Sequence, residues 1–361
     1  MHISIASRFK PFSHTGGTST ILPGSHYQIQ IFPCLIRIFD LKASQPVLLK
    51  EVFLNIKGWV EQFLICNDLE KGRMTVSGKS QEGWMRYHLI SSTQSSEIHF
   101  FLEKTPSCGI ELQINEKKDI LFAHESINLI GTNGAFVAFQ VPHCDRLSLG
   151  NHKAGDWDLI KRRFDLIEIL PILHRLGQLV PQMHVERTPA GTLALLEECK
   201  ENLGREEYWK RFLLGCFHEM LVPQLFDQGF QGLISSKEEI FPHLSPLAIL
   251  TDSHHLIRSL FFLENGNEFS FLPFVLPLMH CGRMLEIPLQ DGGKISMEWT
   301  KKCLRRFILI SASDREISFK IDASLRNYRL RRSHTDKGER ISVKSSLRVE
   351  KNCQYLFDNF Q

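Results

Sequence analysis

The chain has 361 residues, 43 % of them apolar and 23 % charged, which is the balance of a folded globular protein long enough for two or three domains. A net charge of +3 does not by itself call for a polyanionic partner. The nine cysteines are irregularly spaced and include no C-x-x-C pair, which points away from structural zinc and towards reduced thiols in the cytoplasm.

The opening "MHISIASRFKPFSH" has no apolar core of the kind a secretory signal needs. No stretch reaches the ~20 apolar residues of a membrane span. The most apolar run, "FSFLPFVLPLMHCG", is broken by Pro273 and Pro277. A cytoplasmic protein with no membrane partner is therefore expected.

From residue 1 to about 145 the pattern is that of strands. "YQIQIF" and "LIRIFDL" alternate apolar and polar positions. "RMTVSG" and "WMRYHLISS" flank the short turn "KSQEG", and "SEIHFFLE", "GIELQINE" and "DILFAHES" follow at regular spacing. "GAFVAFQV" reads as one more strand, buried on both faces. "SHTGGTS" at 13–19 is a β-turn without the lysine of a phosphate loop. Frequent short strands with polar turns predict an antiparallel β-sandwich over residues 1–148.

The character changes in "LGNHKAGDWDLIKRR", residues 149–163. Gly150 and Gly155 allow backbone angles that other residues avoid. Asp156 is a helix N-cap, and Asp158 adds negative charge in the first turn. Trp157, Ile160, Phe164 and Ile167 then recur at helical spacing, with Trp157 expected in the core. Pro171 should split this helix near Leu170, with Gly177 as its stop. Thr188-Pro189 starts a second helix that Gly204 closes. "REEYWKRFLLGCFHEMLV" is a third, running to Pro223, and Ser245-Pro246 starts a fourth that ends at Asn265-Gly266. Residues 149–282 thus form a helical segment.

Strands return in a C-terminal β-region, residues 283–361: "RMLEIPL", "GGKISMEWT", "RRFILISAS" and "EISFKID", with turns at "DGG" and "TKK" and one further strand in "RISVKSSLRV". The predicted class is α+β. Between Lys301 and Lys351 there are 15 Lys or Arg against 6 Asp or Glu, so the rest of the chain is net acidic. Nucleic-acid binding is not expected from this stretch. Arg326, Arg329, Arg331 and Arg332 have only Tyr328 among them as a stacking aromatic, where single-strand binders use several.

Candidate chemistry is sparse. Glu219 in "FHEML" and Asp252 in "LTDSHH" are carboxylates on predicted helices, the residue type that glycosidic hydrolysis uses in pairs. His254-His255 and His218-Glu219 lack the i, i+4 spacing that puts two metal ligands on one helix face, so no metal site is expected. No dinucleotide fingerprint or phosphate loop appears, and no cofactor is expected. In the 149–163 segment, His152 and Lys153 offer donors beside a helix N-terminus, and Trp157 offers a flat apolar face. That set suits an anionic or sugar-like ligand. The competing reading is a structural junction, with Asp156 and Asp158 already satisfying the free N–H groups.

Two resemblances add to this. "GGKISMEWTKKCLRRFILIS" resembles the C-terminal β-domain of helical-toroid glycoside hydrolases, especially the α-L-fucosidase group. There a strand ending in Trp turns at a Lys-rich pair and returns with apolar alternation, positions held here by Trp299, Lys301-Lys302, Leu304 and Ile308. The likeness spans about residues 285–331. Residues 156–275 hold about four helices against the family's dozen, so it implies a reduced relative and carries over no catalytic residue. "RFKPFSHTGGTSTILPGS" and "LGNHKAGDWDLIKRR" are similar to an uncharacterised family of chlamydia-like bacteria, which implies no activity. The sequence thus leads to a non-catalytic, carbohydrate-associated or protein-interaction role. The alternative is a glycoside-processing enzyme using carboxylates of the helical segment.

Overall fold

The computed structural model describes residues 2–6, 9–92, 97–131, 136–150, 153–183, 191–227, 232, 243–333 and 335–361. Strands and helices are numbered in chain order. Two six-stranded sheets make the N-terminal part. One runs β1 (Phe12–Ser13), β6 (Glu61–Asp68), β7 (Arg73–Ser80), β8 (Gly83–Ser91), β9 (Ile98–Lys104) and β12 (Ser126–Ile130). The other runs β11 (Lys117–Leu121), β10 (Ile110–Ile114), β5 (Val47–Asn55), β4 (Leu35–Asp40), β3 (Tyr27–Phe32) and β2 (Thr18–Ile21). Strand alternation sends one set of side chains inward from each sheet. Ile29, Ile31, Ile36, Ile38 and Val52 thereby meet Ile65, Val76, Tyr87, Leu89 and Phe100 in one buried cluster. This is the antiparallel sandwich the alternation predicted.

The helical middle contains α1 (Trp157–Arg163), α2 (Leu166–Gly177), α3 (Leu193–Glu201), α4 (Glu206–Cys216) and α5 (Leu247–Phe261), with the pair β14 (Phe217–His218) and β15 (Val222–Pro223). The C-terminal β-region has a seven-stranded sheet ordered β13 (Arg146–Ser148), β18 (Cys281–Pro288), β19 (Lys294–Thr300), β20 (Cys303–Ile310), β25 (Gln354–Asp358), β22 (Asn327–Arg331) and β23 (Glu339–Ser342). A four-stranded sheet follows the order β16 (Phe262–Asn265), β17 (Glu268–Phe271), β21 (Arg315–Lys320), β24 (Leu347–Val349). Helices and C-terminal sheets share a second core, in which Phe261 stacks on Trp299 at 5.0 Å and Phe307 on Phe357 at 4.1 Å. β13 comes straight from the end of the sandwich and pairs with β18, so the chain touches the C-terminal sheet before it enters the helices.

Several expected elements are corrected. The α1–α2 break lies at Phe164, not near Leu170: Phe164 takes a left-handed conformation (φ 50°), and the Asp165 side chain then accepts from Ile167 N to cap α2. Pro171 sits inside α2, where helix packing outweighs the one lost backbone bond. α4 stops at Cys216 rather than Pro223, because Phe217 turns to extended backbone and pairs with Pro223. α5 ends at Phe261, and Asn265-Gly266 is instead the turn between β16 and β17. Of "GAFVAFQV", the described residues 136–141 are half-exposed or exposed and form no named strand; Ala138 bridges Ser92 and Phe139 N donates to Ser91 O at 2.8 Å. "RISVKSSLRV" supplies two short strands in different sheets. Thr188-Pro189 lies outside the described residues.

Candidate functional site

The two segments most conspicuous in the sequence meet in space. Phe12 N donates to Gly155 O at 2.8 Å, and Phe12 bridges Asp156 in parallel. Asp156 caps α1 as expected, its side chain accepting from Leu159 N at 3.2 Å. Asp158 supplies the acidic charge of the first turn as expected, but it takes no helix N–H. Its carboxylate accepts from Ser13 Oγ, His14 N and Thr15 Oγ1, so it holds the 13–15 turn rather than the helix N-terminus. Gly155 also differs from expectation: its φ is not positive. Glycine is needed there because a Cβ would lie 2.9 Å from Lys10 O. Gly150 does have positive φ, +77°.

Among the ligand candidates, His152 lies outside the described residues. Trp157 is 5 % exposed and its indole donates to Glu219 O at 2.7 Å, so its face is occupied by the core. Lys153 forms an ion pair at 3.0 Å with Glu168, a buried carboxylate that also binds Arg163 at 2.7 Å. Lys153 and Glu168 edge a cleft of about 160 Å³ that Phe9, Ile160 and Ile172 also line. Glu219 is exposed on the β14–β15 turn, with φ 45°, and Asp252 is half-buried on α5. The two carboxylates stand on different elements and neither lines the clefts described here. Among the described residues, no three His, Cys, Asp or Glu side chains converge as a metal ion requires. The arginines of the basic tail are largely paired: Arg329 and Arg331 both bind Asp358, and Tyr328 is only 1 % exposed.

A larger cleft, of about 540 Å³, opens between residues 2–5, β13, α2 and the seven-stranded sheet. Beneath it Asp145, fully buried, is gripped by Arg258 through two bonds of 2.8 and 2.9 Å. Burial opposes the charge on Asp145, but His174 and Arg258 outweigh it and hold the carboxyl far below the usual carboxylate range. Gln178 Nε2 donates to Asp145 Oδ1 at 2.7 Å, which fixes its amide so that Oε1 faces Cys144 and Arg175.

A further feature carries no motif. Trp59 is 81 % exposed and Trp84 48 % exposed, at one end of the sandwich. Lys57 and Glu82, paired at 3.3 Å, tie the Trp59 loop to the turn before Trp84, and Gly58 (φ +76°) leaves room for the Gln81 side chain. Glu61, Lys79 and Trp84 form one row across β6, β7 and β8, all exposed. Two residues along β8, on the same side, Arg86 pairs with Glu103 at 3.3 Å, and Glu103 binds His88 at 2.8 Å. The slight burial of Glu103 is outweighed by His88 and Arg86, which lower its pKa and keep it ionised. Sequence reasoning missed this end. The visible signal is a Gly-Trp pair in each of two turns, Gly58-Trp59 and Gly83-Trp84.

A scan against protein-family models finds no match to this chain, and a search of curated proteins finds no relative.

Proposed function

We propose that the chain is a non-catalytic carbohydrate-binding protein of the cytoplasm, with the sugar seated at the Trp59–Trp84 end of the N-terminal sandwich. The observation that carries this reading is the contrast among the five tryptophans: Trp157, Trp209 and Trp299 are buried, whereas Trp59 and Trp84 stand in solvent beside charged groups. Exposed large aromatics brought together on one surface mark binding sites. An indole face is flat, apolar and slightly negative, which suits the C–H face of a sugar ring. Lys79, Arg86 and Glu103 supply donors and an acceptor for its hydroxyls.

Glu103, which His88 and Arg86 keep ionised, serves as a hydrogen-bond acceptor for sugar hydroxyls. The resemblance of residues 285–331 to the tail of helical-toroid glycoside hydrolases points to the same ligand class. All nine cysteines are free thiols, which supports a reducing compartment. No described helix is long and apolar enough to cross a membrane.

A glycan array tests the reading. The full chain should bind at least one class of oligosaccharide, and the Trp59→Ala/Trp84→Ala variant should not. Binding to no glycan, or binding that survives the double substitution, would count against it.

A further inference from the structure

The cleft between residues 2–5, β13, α2 and the seven-stranded sheet contains a charge imbalance. Arg175, on α2, is 5 % exposed and lines the cleft. Its Nη1 donates to Cys144 Sγ at 2.7 Å and to Gln178 Oε1 at 3.2 Å. Its Nε has no partner, and no carboxylate pairs with it among the described residues. Asp145 is paired with Arg258 and Glu70 with Arg146, while Glu286 takes a hydrogen bond from His143 at 2.6 Å rather than from Arg175.

Cys144 is not the missing anion. Its thiol donates to Gln178 Oε1 at 3.1 Å, and burial pushes its pKa up despite Arg175 nearby. A guanidinium stays protonated in proteins, so Arg175 is a buried cation facing the cleft with no carboxylate bonded to it among the described residues. Lys294, on β19, lines the same cleft half-buried, with no ion-pair partner among the described residues. Arg146, Arg175 and Lys294 against Glu70 and Glu286 leave the lining net positive, and a cavity of about 540 Å³ so charged forms a site for a compact oxyanion; the volume is that of a small-molecule pocket.

We propose that this cleft binds a small organic oxyanion, a phosphate ester or a carboxylate, with Arg175 as the buried anchor and Lys294 as the second cation. The site is separate from the Trp59–Trp84 end and does not depend on it.

Isothermal titration of the full chain with inorganic phosphate and with malonate, at constant ionic strength in chloride, tests the assignment. Saturable binding below about 10 mM is expected for at least one anion. A response to phosphate alone assigns a phosphoryl ligand, and a response to malonate alone assigns a carboxylate. Arg175→Gln should weaken that binding about tenfold or more, and Lys294→Gln about threefold. If Arg175→Gln fails to fold, the Lys294→Gln result decides. No binding of either anion, or binding unchanged in Lys294→Gln, would overturn the proposal.

Discussion

Ser13 donates its hydroxyl to both carboxylate oxygens of Asp158, at 3.0 Å each, across 145 residues of chain. The first strand of the sandwich is thereby fastened to the first helix. Asp158→Ala would leave Ser13, Thr15 and the His14 amide without this acceptor. A loss of about 1–3 kcal/mol is expected, the range for donors stripped of a charged partner. Urea denaturation of the variant measures it. An unchanged midpoint would mean that the junction is held by its backbone bridge alone.

Gly155 tests the same junction by sterics. With a Cβ only 2.9 Å from Lys10 O, Gly155→Val must push the two strands of chain apart. The expected cost is about 1–3 kcal/mol, as for other overpacked sites. Gly204 has open space around its Cβ direction, so Gly204→Ala should leave stability unchanged or slightly raised. Equal thermal midpoints for the Gly155 variant and the parent chain would contradict the close approach.

Trp157 is both core filler and hydrogen-bond donor. Trp157→Ala should cost about 3–5 kcal/mol. Trp157→Phe keeps most of the packing but strands the Glu219 carbonyl, so its cost in the same denaturation assay should be smaller yet measurable.

Acid should weaken the fold through buried histidines. Burial lowers His254 from 6.5 to about 3 and His218 to about 4. His26 and His88 are lowered in the same sense, again chiefly by burial. The unfolded chain therefore takes up protons from pH 6.5 downward while the folded chain does not. Stability is full above pH 6.5 and falls as pH drops towards 4, by at most about 1.4 kcal/mol per pH unit for each histidine. Denaturation midpoints at pH 7, 6 and 5 should decline, and less steeply in His254→Gln. A flat profile would show these imidazoles to be solvated.

Strand alternation made the sandwich legible, because a two-residue period survives in any sheet with one wet face. The helix starts at Asp156 and Ser245 were legible through capping chemistry, and Ser245 Oγ does accept from Leu247 N. Helix ends were not. Phe217 and Phe262 leave the helix to open short hairpins with Pro223 and Phe271, and the apolar residues that continue past each helix end look the same in a helix or a strand. Asp158 was legible as a first-turn acid, but not as the acceptor of a hydroxyl 145 residues away. The Arg175 cleft is a property of charge balance in space, and the Trp59–Trp84 end depends on two turns being tied together by the Lys57–Glu82 pair.

Tryptophan fluorescence during titration with oligosaccharides tests the central claim most directly, since only Trp59 and Trp84 of the five indoles are exposed to solvent. The account predicts a saturable blue shift with at least one sugar class, abolished in Trp59→Ala/Trp84→Ala, while the buried emission of Trp157, Trp209 and Trp299 is unchanged. No spectral response to any sugar, or the same response in the double variant, would contradict it.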